Sequence, residues 1–229
     1  MNIFITGEDR RFEELRAKLM REDLDIIRFD DAEEDVEELD SADVIFDLNF
    51  DDDASNLAVY ATLKDKLVFV SATKTSLAES LYLLEGKLKC KLFGINALPT
   101  FLNRSRWEIS LHYKFHGQDV KDIANKLGVE YDIVEDRVGM VSPRILFMIM
   151  NEACYTLQEG TASVEDIDIA MKLGTNYPFG PLEWCDKIGI SEVFETLTAL
   201  YEDTKDERYK ICPILKTKYL KNQPFYKIK

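Results

Sequence analysis

Residues Ile145-Leu-Phe-Met-Ile-Met-Asn-Glu-Ala-Cys-Tyr-Thr-Leu157 decide how the chain is organised, because their apolar positions repeat at helical rather than strand spacing. Ile145, Leu146, Ile149, Ala153 and Leu157 form one stripe, while Phe147, Met148 and Met150 make the neighbouring faces apolar too. A helix apolar on several sides is buried or paired with another copy. Gly160 ends it, Ser163 with Asp166 three residues on forms a capping box for a second helix, and Gly174 suits that helix's stop. Ser191 caps a third over residues 192–201, and Pro213 opens a fourth within residues 212–219.

Upstream of Gly139 the rhythm changes. Short apolar runs at residues 3–6, 25–29, 43–48, 67–71 and 91–95 read as strands, and the segments 12–20, 57–63 and 76–84 read as helices between them. A strand at 107–112, a helix at 118–127 closed by Gly128 and a last strand at 130–134 follow. Strands separated by helices imply an α/β, mainly parallel sheet covered on both faces through right-handed crossovers. The change of periodicity sets a boundary near Val138, with a sheet domain over residues 1–137 and an all-α domain over residues 138–229.

Composition narrows the function classes. A formal charge of -14 disfavours nonspecific contact with nucleic acid, which needs clustered Lys and Arg. No apolar run approaches the roughly 20 residues of a membrane crossing, and the start lacks the long apolar stretch of a secretion signal, so a cytoplasmic protein is expected. Cys90, Cys154, Cys185 and Cys212 stand singly without a CxxC pair, which predicts reduced structural thiols and no metal site. The acid is densest between Asp30 and Asp53 and reads as a solvated face.

The runs Asn151-Glu-Ala-Cys-Tyr155, Gln158-Glu-Gly160, Ala162-Ser-Val-Glu-Asp-Ile-Asp168, Ala170-Met-Lys-Leu-Gly174 and Asn176-Tyr-Pro-Phe-Gly-Pro-Leu-Glu183 together resemble the helical domain of 3-hydroxyacyl-CoA dehydrogenases. The stretch from Leu220 to Tyr226 resembles that family's terminal Lys-Thr-Gly-x-Gly-Phe-Tyr, with Pro224 where a glycine is usual. Ser41-Ala-Asp-Val-Ile-Phe46 and the segment Val68 to Leu77 resemble two strand regions of the family's amino half. The resemblance implies a Rossmann-like domain for NAD, a helical domain that forms homodimers, and an acyl-CoA substrate of fatty acid metabolism. Between Asp30 and Ser41 the chain is far shorter than the family pattern, which there carries helices that help bind coenzyme A.

A pyrophosphate site needs glycines after the first strand, since side chains block backbone approach. Here Thr6-Gly-Glu-Asp-Arg-Arg-Phe12 keeps Gly7 alone, with Asp9 and Phe12 at the second and third glycine positions and Arg10 and Arg11 as possible offsets to the acid. Asp30 or Asp31 suits the acidic residue that meets a ribose. Oxidising a 3-hydroxyacyl thioester requires a base near neutral pKa. By resemblance, Asn96 stands at the family's histidine position and Glu108, twelve residues later, keeps its carboxylate partner. Pro143 stands where the family has a substrate-orienting Asn, and Thr75 and Ser76 keep hydroxyls near the expected thioester or cap the following helix. Asn176 lines the expected substrate side; His112 and His116 fall outside the catalytic position, and Trp184 reads as core.

Three readings stay open at this point. The chain binds an acyl-CoA-type ligand with weak or no NAD-dependent oxidation, it is an active oxidoreductase using Glu108 or another base, or it is a non-catalytic dimeric scaffold.

Overall fold

The two rhythms of the sequence correspond to two compact units, Met1–Met140 and Val141–Lys229. The computed structural model describes residues 1–84 and 88–226; residues 227–229, the end of the helical half as read above, lie outside the described residues.

The amino unit runs β1 (Asn2–Thr6), α1 (Asp9–Leu19), β2 (Asp25–Arg28), α2 (Val36–Leu39), β3 (Val44–Asp47), α3 (Leu57–Tyr60), β4 (Leu67–Ser71), α4 (Leu77–Leu81), β5 (Lys91–Ile95), β6 (Arg106–Leu111), α5 (Gly117–Leu127) and β7 (Glu130–Val134). Its strands form one seven-stranded sheet in the order β2-β1-β3-β4-β5-β6-β7. β1 to β5 are parallel, β6 runs antiparallel to β5, and β7 is parallel to β6. Central strands of such a sheet are buried on both faces, which is why they read as unbroken apolar runs.

Alternation splits each strand between two cores. Ile3, Ile5, Phe46, Phe69 and Phe93 face one layer with Leu15 of α1 and Val120 and Ile123 of α5. Phe4, Ile45, Val68, Val70 and Leu92 face the other with Tyr60 and Leu77. Phe46, Phe69 and Phe93 stack across three strands at centroid distances of 5.2 and 4.8 Å, and Trp107 meets Phe46 edge-on at 6.1 Å.

The carboxyl unit contains α6 (Ser142–Gln158), α7 (Val164–Thr175), α8 (Pro181–Ile188), α9 (Ile190–Thr204) and α10 (Pro213–Leu220). Ser163 caps α7 as expected, its Oγ accepting the Asp166 N–H at 3.2 Å, and its hydroxyl donates to the Asp166 carboxylate at 2.8 Å. Gly174 is not the stop: the helix continues to Thr175 and Asn176 takes the left-handed turn at φ 56°. Asparagine tolerates that conformation better than most side chains. The third helix starts at Ile190 after Gly189 rather than at a Ser191 cap. α8 was hidden in the sequence because Asn176 to Glu183 looks like a turn, although Pro181 in its first turn is a start signal.

α8 is anchored by two aspartates. Asp168, buried in α7, accepts the N–H groups of Leu182 and Glu183 at 2.8 Å each and the Tyr226 hydroxyl at 2.8 Å. Asp186 accepts the N–H groups of Phe225 at 2.9 Å and Tyr226 at 2.8 Å. No helix among the described residues is long and apolar enough to cross a membrane.

Gly94 marks the tightest strand contact in the amino unit. It pairs with Ser110, and a Cβ there would press on the Ser110 hydroxyl and stand 2.8 Å from Ala72 Cβ. Gly94→Val is expected to lower unfolding free energy by about 1–3 kcal/mol, the usual cost of overpacking. Adding Ser110→Gly should restore part of it, and urea denaturation of the wild type and the two variants measures both effects.

Candidate functional site

In an open sheet wound both ways from one strand, ligands bind at the carboxyl ends of the strands where the winding reverses. The strand order places that reversal between β1 and β3. Gly7 lies directly after β1 with φ 145°, a conformation side chains rarely adopt, and a Cβ would stand 2.8 Å from Leu48 Cβ. Gly7 is thus required by close packing of the β1 loop on the β3 loop.

The leading amide and the space of that loop are used internally. The Glu8 N–H donates to Asn49 Oδ1 at 3.1 Å, and Arg28 donates to the Gly7 carbonyl at 2.9 Å while pairing with Asp9 at 2.7 Å and covering the Phe12 ring at 4.7 Å. Arg11, read above as a possible offset to the acid, is 1% exposed and donates from Nη1 to the Leu48 carbonyl at 2.5 Å. With the Glu8 amide bonded to Asn49 and with Asp9 and Phe12 at glycine positions, the loop offers less of the open amides and glycine-sized clearance that a dinucleotide pyrophosphate uses. Asp30 and Asp31 are exposed after β2, and Asp31 Oδ1 accepts the Glu33 N–H at 2.7 Å in a local turn.

The acidic run is not simply a solvated face. Asp47, 1% exposed at the end of β3, accepts from the Tyr60 hydroxyl at 2.9 Å, Asn56 Nδ2 at 3.2 Å and the Asn49 N–H at 3.2 Å. Burial is the largest influence on its carboxyl and pushes the pKa upward against those hydrogen bonds. Asp51 reaches into the turn after β4. Its carboxylate accepts the hydroxyls of Ser71 and Thr73 at 2.6 Å each, and the N–H groups of Thr73 at 2.9 Å, Lys74 at 2.8 Å and Thr75 at 3.3 Å. Asp52 lies 2.5 Å from Lys74 Nζ and 3.5 Å from Arg11 Nη2. Sequence reasoning missed both residues; an acid two positions beyond Asn49 on a strand-to-helix loop was the available signal.

Thr75 and Ser76 follow in the same turn. The Ser76 hydroxyl accepts the Glu79 N–H at 3.1 Å and so caps α4, whose next two amides, Leu77 and Ala78, donate to Asp136 at 2.8 and 2.9 Å. Thr75 Oγ1 lies within 3.4 Å of both the Ser76 carbonyl and Ser80 Oγ and 3.3 Å from Glu79 Oε2.

Asn96 follows β5. Register pairs Gly94 with Ser110 and Ile95 with Ile109, so the next step brings Asn96 opposite Glu108. Asn96 is 7% exposed; its Oδ1 accepts the Leu98 N–H at 3.4 Å, and its Nδ2 is buried without a hydrogen-bond partner. Glu108 is half-buried and, with Glu14, acts on Arg104, whose pKa burial lowers and these charges raise. His112 continues past the far end of antiparallel β6, level with Leu92, four residues from Asn96 along β5. That is about 13 Å of strand, and His116 lies in the turn beyond. Burial pulls both imidazoles below their ordinary range, partly opposed by Asp136 at His112 and by Asp119 at His116.

In the carboxyl unit, Pro143 is buried in the first turn of α6, and Asn176 is exposed at the end of α7. Trp184 is 7% exposed against Tyr177 and Phe179 at 6.2 and 5.8 Å, which is core packing. The four cysteines are free and buried.

Residues 139–227 match the family model described as 3-hydroxyacyl-CoA dehydrogenase, C-terminal domain. The chain is 43% identical over 95 residues to 3-hydroxybutyryl-CoA dehydrogenase of Bradyrhizobium diazoefficiens, covering 42% of this chain and 32% of that protein. It is 40% identical over 99 residues to 3-hydroxybutyryl-CoA dehydrogenase of Clostridioides difficile, covering 43% and 34%. These matches span about a third of the length of the curated relatives. The crystal structure of (S)-3-hydroxybutyryl-CoA dehydrogenase from Ralstonia eutropha shares the fold, with a TM-score of 0.78 over 100% of this chain and 99% of that chain at 18% identity.

Two buried asparagines provide a stability test. Asn151 is satisfied at both ends, accepting the Cys212 N–H at 2.8 Å and donating to the Lys210 carbonyl at 2.9 Å. Asn96 holds one long bond and an unmatched donor. Asn151→Ala is expected to destabilise the chain by about 1–3 kcal/mol more than Asn96→Ala, because only the former strands buried backbone groups of full strength. Chemical denaturation of the two variants measures the difference.

Proposed function

We propose that the chain, whose residues 139–227 match the C-terminal domain of 3-hydroxyacyl-CoA dehydrogenases, is a member of that family that holds an acyl-CoA-type ligand while oxidising 3-hydroxyacyl substrates weakly or not at all. The observation that carries this reading is Asn96, an amide at the position where the resemblance expects the base. Taking up the hydroxyl proton as hydride leaves requires a group that titrates near neutrality. An asparagine carries no proton there. Its Oδ1 is engaged by Leu98, which leaves Nδ2 as a donor suited to a carbonyl oxygen such as that of a thioester or a 3-oxo group.

Losing a positioned base costs about 10² to 10⁴ in rate. Neither histidine compensates, being placed at the other end of the strand pair. The β1 loop adds a second obstacle, because its leading amide and its clearance are committed to Asn49 and Leu48. NAD is the cofactor of the family, and Gly7 and Asp30 are what the chain retains of its site. Glu108 is the remaining carboxylate, and a reading in which it serves as base has the opposite kinetic outcome. Purified protein mixed with NADH and acetoacetyl-CoA is expected to bind the CoA ligand in calorimetry without oxidising NADH. Turnover at ordinary enzyme rates of about 1–10³ per second would sink the proposal, and absence of any CoA binding would leave the scaffold reading.

The helical unit supports a homodimer. α6, α7 and α8 border an apolar groove of about 400 Å³ lined by Ile149, Ala153, Ile167, Ala170, Met171 and Pro181. On α6 and α7, Ile145 is 61%, Ile169 54% and Leu173 83% exposed. Exposed apolar surface of this kind marks association sites or ligand grooves in soluble proteins. Light scattering on a sizing column is expected to give twice the 26.5 kDa chain mass, and Leu173→Glu, at an exposed position, to shift it to one chain.

A further inference from the structure

We infer that the Asp51–Asp52 turn is an internal stand-in for a diphosphate, filling with its own two carboxylates an anion site that the amino unit still possesses. The site has two halves. One is the turn after β4, where three successive amides, Thr73, Lys74 and Thr75, and the hydroxyls of Ser71 and Thr73 converge on Asp51. Three successive N–H groups pointing at one anion form a concave nest, the arrangement backbones use to hold phosphate. The other half is a pair of cations, Lys74 and Arg11, whose side chains are 9% and 1% exposed and which meet the two oxygens of Asp52, Oδ1 at 2.5 Å and Oδ2 at 3.5 Å.

Burying two cations and a set of converging donors is costly without an anion to match them. Asp51 and Asp52 supply two adjacent negative groups in the order a diphosphate would, one on the amides and one paired with both cations. Glu8, 3.3 Å from Arg11 Nε, adds a third carboxylate at the rim. The Asp52 side chain is 42% exposed, so the cation half opens to solvent at that residue. The site lies between the β1 and β4 loops, across the reversal of the sheet. A chain carrying its own anion there has no need of a bound nucleotide to satisfy these donors. The inference does not rest on the acyl-ligand reading, because it is tested with inorganic pyrophosphate alone.

The wild type is expected to show no pyrophosphate binding by calorimetry and no thermal shift at low ionic strength. Asp51→Ser with Asp52→Ser should bind pyrophosphate at least tenfold more tightly than the wild type and orthophosphate less well, with affinity falling as salt rises. Lys74→Met added to that variant should remove at least tenfold of the gain. A control with the same charge change at exposed positions, Glu33→Ser with Glu34→Ser, should gain nothing. Asp52→Ser alone, at the partly exposed half, carries the same expectation at about threefold and covers the case in which the double variant does not fold. The inference is overturned if the wild type binds pyrophosphate as tightly as these variants, if folded variants fail to bind it, or if the control gains as much.

Discussion

The Asp51 carboxylate in the turn after β4 is the constraint on which the arrangement of the candidate site depends. Loops at the carboxyl ends of parallel strands expose amides that must find partners when buried. In nucleotide-binding sheets the ligand supplies part of that. Here the chain supplies it from side chains on neighbouring loops: Asn49 to the turn after β1, Asp51 to the turn after β4, Asp136 to the start of α4, and Glu14 to the Thr100 and Asn103 amides after β5. Asn56 ties a further pair of loops, accepting the Ala32 N–H at 3.2 Å while donating to Asp47. The edge of the sheet that would ordinarily receive a ligand is in this protein wired from within.

Against that background the exceptions stand out. Buried polar atoms are nearly always paired, yet Asn96 Nδ2 and Ser110 Oγ, on adjacent strands, are without partners in the described structure. Both flank Gly94, which supplies no side chain to cover them. At Asn96 the cost is that of a buried donor whose desolvation is not repaid by a hydrogen bond.

Much of the fold was legible because its signal is local. β4 and β5 begin and end where the apolar runs do, since a strand buried on both faces has no polar alternation to blur its limits. Helices were less so: α2 and α3 span four residues each, too short for a 3.6-residue period to declare itself. The site was legible only where one residue type decides the chemistry. Asn96 and the missing glycines could be read from their positions. Asp51 could not, because its partners lie 20 to 24 residues downstream and nothing in an acidic run says which carboxylate turns inward.

Asp47 and Asp186 select an arrangement more than they add stability. Asp47 and Asp186 both have their carboxyl pKa raised, with loss of solvation outweighing the hydrogen bonds they accept. A raised value means the folded state favours the protonated form, so each ionised carboxylate is a net cost above its folded pKa and stability falls as pH rises through that window. What the cost secures is geometry. Asp47 fixes Tyr60, Asn56 and the Asn49 amide in one constellation, and Asn49 in turn holds the β1 loop against β3. A chain with a net charge of -14 has acid to spare at its surface, and at Asp47 it places one carboxylate inside, where the hydrogen bonds it accepts hold the loop after β3 against its neighbours.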